Sequence, residues 1–121
     1  MTTILIIDDD IEVRFFMQTL LEIKGYQVFL AASAREGMQL VEQSPPDIIC
    51  CDLMMPVMSG VDFIKHVKAN PATAHIPVIV ITAAGERGLL DEALRQGASA
   101  TLTKPFGKAQ RYGILQQVLN P

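Results

Sequence analysis

The sequence predicts an α/β domain: a doubly wound, mostly parallel five-stranded sheet with helices on both faces. Three observations predict it. Five apolar runs too short to be helices recur along the chain, at Ile4–Ile7, Val28–Leu30, Ile48–Cys51, Val78–Ile81 and Ala100–Leu102. The segments between them have helical spacing, and strict alternation of strand and helix implies right-handed crossovers between parallel strands. The runs are also close to continuously apolar, as expected of strands buried on both faces.

The first run ends in Asp8-Asp9-Asp10 and leads into a helix over Ile11–Lys24, with Val13, Phe16, Met17, Leu20 and Leu21 on one face. Asp10 is its expected N-cap and Gly25 its stop. After Val28–Leu30, the stretch Ser33-Ala34-Arg35-Glu36 has capping-box spacing and opens a second helix, which runs towards Gln43 before Pro45-Pro46 ends it. Beyond Ile48–Cys51 a third helix is expected over Val61–Ala69, with Val61, Ile64 and Val67 inward. Val78–Ile81 precedes a fourth over Glu86–Gln96, with Leu89, Leu90, Ala93 and Leu94 inward and Gly97 closing it. A last helix over Lys108–Leu119 contains Gly113, which costs about 1 kcal/mol of helix propensity relative to alanine.

The chain has 121 residues, 50% hydrophobic and 19% charged, a balance that fits one globular domain over residues 1–121 with nothing appended. A formal net charge of -3 without a run of basic residues argues against a nucleic-acid footprint and leaves proteins as the expected partners. No secretory-type leader is expected from the opening residues, and no apolar stretch approaches the roughly 20 residues of a membrane helix. Adjacent Cys50 and Cys51 lie in a strand, where consecutive side chains face opposite ways, so they read as small buried hydrophobes in a reducing cytosol. His66 and His75 match no metal-ligand spacing, and Met54, Met55 and Met58 read as gap-fillers.

In a doubly wound sheet, ligands bind beyond the carboxyl ends of the strands. The polar residues at those ends are Asp8, Asp9 and Asp10 on the first strand, Asp52 on the third, Thr82 on the fourth and Thr103-Lys104-Pro105 on the fifth. Each has a plain structural use: aspartates begin helices and end strands, a threonine suits a strand end, and lysines are usually solvated. One helix cap needs only one aspartate, however. Two more carboxylates crowded at a buried strand end repel each other, and a hard divalent cation such as Mg²⁺ resolves that repulsion. Beside a cation, the Asp52 carboxylate is a plausible nucleophile towards phosphorus, and Lys104 supplies a fixed positive charge, held extended by Pro105.

Together these stretches resemble the response-regulator receiver family. The matching residues are Ile4-Leu5-Ile6-Ile7-Asp8-Asp9-Asp10, Asp52-Leu53-Met54-Met55-Pro56 with Ser59-Gly60, Pro77-Val78-Ile79-Val80-Ile81-Thr82-Ala83, and Thr103-Lys104-Pro105-Phe106. The resemblance covers essentially the whole chain and implies a flavodoxin-like sheet of order 2-1-3-4-5 with a phosphoacceptor at Asp52. It implies Mg²⁺ or Mn²⁺ held by Asp9 directly, by Asp8 through water, by Asp52 and by the main-chain carbonyl of Met54. Thr82 would hydrogen-bond the phosphoryl group and Lys104 would pair with it. The implied partners are a histidine kinase or histidine phosphotransfer protein as donor, and a downstream protein or fused effector domain as target. The fourth helix, fifth strand and fifth helix would form the output face, through which receivers often dimerise when phosphorylated.

Two positions depart from or refine that pattern. Thr101 occupies the place, three residues before the lysine, where the family usually has tyrosine or phenylalanine. Met54 and Ala84, which in this family flank the path of attacking water, offer it no hydrogen bond, so slow self-hydrolysis is expected. An enzyme turning over through aspartyl-phosphate, of the haloacid-dehalogenase kind, needs a second aspartate two residues after its nucleophile, where this chain has Met54. The intact acidic set weighs against a receiver that only binds. The expectation is therefore a switch that catalyses only its own phosphorylation and dephosphorylation.

Overall fold

The computed structural model describes residues 2–83 and 87–104, with side chains described over 2–81 and 88–101. Along the chain lie β1 (Thr3–Ile7), α1 (Ile11–Ile23), β2 (Gln27–Ala31), α2 (Ala34–Gln43), β3 (Ile48–Asp52), α3 (Gly60–Ala69), β4 (Val78–Ala83), α4 (Arg87–Arg95) and β5 (Ala100–Lys104). The expected last helix, together with Ala84, Pro105 and Phe106, lies outside the described residues. The strands pair in parallel in the order β2-β1-β3-β4-β5.

Alternation along each strand divides the core. Ile4, Ile6, Cys50, Ile79 and Ile81 face one side, where Met17 and Leu21 of α1 cover them. Leu5, Ile7, Ile49, Cys51, Val78 and Val80 face the other, against Val41 of α2, Phe63, Ile64 and Val67 of α3, and Ala93 of α4. The adjacent cysteines thus belong to opposite layers, as their place in a strand predicts. Both are free, and burial pushes the Cys50 thiol up to about 12 and the Cys51 thiol well above its usual range, which leaves them inert.

The helix ends follow the expected chemistry. The Asp10 carboxylate accepts from the Glu12 N–H and caps α1, and the Ser33 hydroxyl accepts from the Glu36 N–H and caps α2. Gly25 and Gly97, at φ 92° and 114°, turn the chain out of α1 and α4 in the left-handed conformation. One helical expectation fails. Leu94 is 48% exposed, because the buried stripe of α4 centres on Ala93 with Leu89 and Leu90 partly covered, and the next residue round the helix points away.

The start of β1 is fastened by Asp47. Its carboxylate accepts from the Thr3 N–H at 2.8 Å and the Thr3 hydroxyl at 3.1 Å, and these bonds hold its pKa below the usual carboxylate value. A depressed folded-state pKa contributes stability that is complete above the unfolded value, about 3.9, and is lost as pH falls through the folded one. Thermal unfolding of wild type and Asp47→Ala is therefore expected to differ at neutral pH and to draw together as pH falls from about 4 through the lowered folded value. A difference that persists unchanged into that acid range would contradict the assignment.

Candidate functional site

β1 and β3 are hydrogen-bonded neighbours, with Ile7 opposite Cys51, so the residues that follow each strand emerge side by side. Asp8, Asp9 and Asp52 accordingly bring one carboxylate oxygen each to within 4.8 Å of one another. Asp8 is fully buried and Asp52 is 4% exposed, whereas Asp9 is open to solvent. Three negative charges so close, two of them out of water, are a costly arrangement without a cation. All the donors are hard oxygens, a set suited to Mg²⁺ or Mn²⁺ and unsuited to softer metals. The residues present thus fit a divalent-cation site.

The surrounding backbone holds these acids in place. The Asp8 carboxylate accepts from the Asp10 N–H at 2.9 Å, and the Asp8 carbonyl accepts from the Arg14 guanidinium at 2.7 Å. Asp52 accepts from the Met54 N–H at 3.2 Å. The loop after Asp52 then reverses tightly: the Met58 N–H donates to the Pro56 carbonyl across Val57, whose φ is 72°. A three-residue turn of that hand is strained, by roughly 1–3 kcal/mol for a side chain such as valine. It delivers Ser59, which caps α3 by accepting from the Asp62 N–H, and Gly60, whose N–H donates to the Leu53 carbonyl at 3.0 Å. A Cβ at Gly60 would lie 2.3 Å from the Asp52 carbonyl oxygen, so α3 begins directly against the main chain of the acidic strand end.

Two other residues singled out in the sequence lie on the same edge. In the register of β4 with β3, Asp52 is opposite Ile81, and in that with β5, Thr82 is opposite Thr103 and Ala83 opposite Lys104. The backbones of Thr82 and Lys104 therefore lie at the same carboxyl edge of the sheet as Asp52, one strand and two strands away from it; their side chains are outside those described. Thr101 pairs with Val80 and is partly buried. Exposed His66 and His75 join no metal-binding group among the described residues. Of the methionines, Met55 fills the core as expected, whereas Met54 is 52% exposed.

A family model, "Response regulator receiver domain", matches residues 4–116. This chain belongs to the receiver family. Among relatives, it is 33% identical over 117 residues to the phosphate regulon transcriptional regulatory protein PhoB of Pseudomonas aeruginosa, covering 97% of this chain and 51% of that one. It is also 33% identical over 103 residues to sporulation initiation phosphotransferase F of Bacillus subtilis, covering 85% of this chain and 82% of the other. The receiver thus spans about half the length of PhoB and most of the phosphotransferase. Among solved structures, the chemotaxis response regulator CheY4 of Vibrio cholerae superimposes with a TM-score of 0.88 at 31% identity over 98% of each chain.

Receiver domains are signalling switches of two-component systems, and they bind Mg²⁺ through an acidic pocket. Sequence reasoning picked out the three acids of the receiver's cluster because strand ends are where such sheets place chemistry. It passed over Arg14 and the close approach of Gly60. An arginine six residues beyond Asp8, one turn into the helix, is the signal for the first; a capping serine followed by glycine after a strand-end loop is the signal for the second.

Proposed function

We propose that this receiver is a phosphorylation-operated switch in which Asp52 accepts a phosphoryl group with the help of a bound divalent cation. The convergence of Asp8, Asp9 and Asp52 within 4.8 Å supports this reading above all. Asp9, Asp52 and the Met54 carbonyl would hold Mg²⁺ directly, and Asp8 through water. The ion would supply positive charge to offset that gathering on the phosphoryl oxygens. A carboxylate oxygen of Asp52 attacks phosphorus; the new P–O bond forms as the P–N bond of a phosphohistidine breaks, and the departing imidazole keeps the bonding pair. Lys104 pairs with the transferred group, and Thr82 hydrogen-bonds it.

The donor is a histidine kinase or histidine phosphotransfer protein, and the whole assembly is cytoplasmic. The output is altered binding to a downstream protein or fused effector domain, and the domain catalyses only its own phosphorylation and dephosphorylation. Phosphorylation shifts that output only as far as it stabilises the active state over the resting one. With Thr101 in place of the usual aromatic residue, the signal reaches the output face without a ring swinging inward.

The test is intact-mass measurement after treatment with acetyl phosphate, since the chain has no tryptophan to report by fluorescence. Wild type is expected to gain one acid-stable, base-labile phosphoryl group with Mg²⁺ and none without it. A chain that stays unmodified in both conditions overturns the proposal in favour of a receiver that acts only by binding.

Lifetime is a further expected property. The exposed side chain of Met54, two residues after the phosphoacceptor, offers no hydrogen bond to orient a water for attack on phosphorus. Met54→Asn supplies one and is expected to speed loss of the phosphoryl group by roughly tenfold, less than a general base contributes, because an amide orients water without taking its proton. Equal decay rates, followed by mass spectrometry after removal of the donor, would contradict the assignment.

A further inference from the structure

Asp9 is the exposed member of the acidic cluster, and the two peptide units that flank it set where its Cα–Cβ bond points. Both are held. The unit between Asp9 and Asp10 is fixed through the Asp10 N–H, which donates to the Asp8 carboxylate at 2.9 Å. The unit between Asp8 and Asp9 is fixed through the Asp8 carbonyl, which accepts from the Arg14 guanidinium at 2.7 Å. The Asp8 N–H is tied in turn to the Ala31 carbonyl of β2. Side chains on a helix lean towards its N-terminus, which lets Arg14 reach back from the second turn of α1 to the end of β1. A charged, planar donor makes this bond stronger than an amide would.

We propose that Arg14 is a positioning residue for the cation site: by clamping the Asp8 carbonyl, it keeps the Asp9 carboxylate turned towards Asp52. The inference rests on the Mg²⁺-dependent switch proposed above. It makes a prediction of unusual sign. Removing a positive charge near a cation site should, by relief of Coulomb repulsion alone, tighten cation binding. Loss of a clamp weakens it instead, because the ligand must then be ordered at the moment of binding.

Mg²⁺ alone, titrated calorimetrically into wild type, Arg14→Ala, Arg14→Lys and Asp9→Asn, separates these cases, with circular dichroism confirming that each variant is folded. Arg14→Ala is expected to raise the Mg²⁺ Kd about tenfold, and Arg14→Lys, which keeps a charged donor, to recover part of the loss. Its phosphorylation rate by acetyl phosphate is expected to return towards wild type at saturating Mg²⁺, which a generally damaged fold would not allow. An unchanged or tightened Kd in Arg14→Ala overturns the inference while leaving the switch standing. If Arg14→Ala does not fold, Arg14→Gln, neutral and shorter, carries the same test with the same two outcomes. A wild type that binds no Mg²⁺, indistinguishable from Asp9→Asn, overturns the reading of the site and the inference with it.

Discussion

Asp52→Asn is expected to gain no phosphoryl group from acetyl phosphate, with or without Mg²⁺, under conditions in which wild type is modified. The substitution preserves shape and an oxygen able to accept from the Met54 N–H, whose bond to Asp52 is 3.2 Å. It removes the anionic nucleophile, and a carboxamide oxygen does not form an acyl phosphate. Because Asp52 is 4% exposed and shares its surroundings with Asp8 and Asp9, the exchange also takes one charge out of a crowded cluster. The variant is accordingly expected to unfold at a Tm no lower than wild type, so that lost chemistry is separated from lost structure. Phosphorylation persisting at wild-type level would move the acceptor to another residue and end the assignment of Asp52.

Gly60→Ala is expected to damage fold and site together. Its Cβ would lie 2.3 Å from the Asp52 carbonyl oxygen and 2.7 Å from the Leu53 Cα, and backbone cannot step aside as the tip of a flexible side chain can. Relief requires α3 to withdraw or the end of β3 to shift, at a cost of about 1–3 kcal/mol. That corresponds to a Tm lower by roughly 5–15 °C for a domain of this size. A displacement approaching an ångström at Asp52 would also slow phosphorylation by roughly 10–100-fold. Gly88→Ala is the control, since that glycine lies in α4 with nothing within 4 Å of the added atom. It is expected to leave the site untouched and to raise stability by about 0.5–1 kcal/mol. Equal behaviour of the two variants would show that the contact between α3 and β3 is not tight.

The contrast between these glycines marks where sequence reasoning stops. Strands and helices were legible because each carries a local signal: continuous apolar runs for the buried β1, β3 and β4, and a side-chain acceptor at Asp10 and Ser33 for the starts of α1 and α2. The acidic cluster was legible because topology fixes which strand ends are neighbours. Leu94 was misplaced because an apolar period gives the direction of a buried stripe and not its width, and α4 buries a narrow one. The Gly60 approach and the Arg14 clamp depend on how far one element stands from another and how far a side chain reaches. Neither quantity has a sequence period.

The spacing of the acids has a consequence for how such chains diverge. Asp8 and Asp52 stand at the ends of adjacent strands, and neighbouring strands lie about 4.8 Å apart wherever a sheet forms. The separation of the carboxylates is thus inherited from backbone hydrogen bonding, which any apolar sequence of the right length can make. The outer faces of the helices carry no part of that specification and are free to drift. A chain 31% identical to CheY4 of Vibrio cholerae can therefore keep its backbone to a TM-score of 0.88. What the acidic site requires of the sequence is a handful of strand-end residues and their immediate supports, while the rest of the surface is available for contacts with partners.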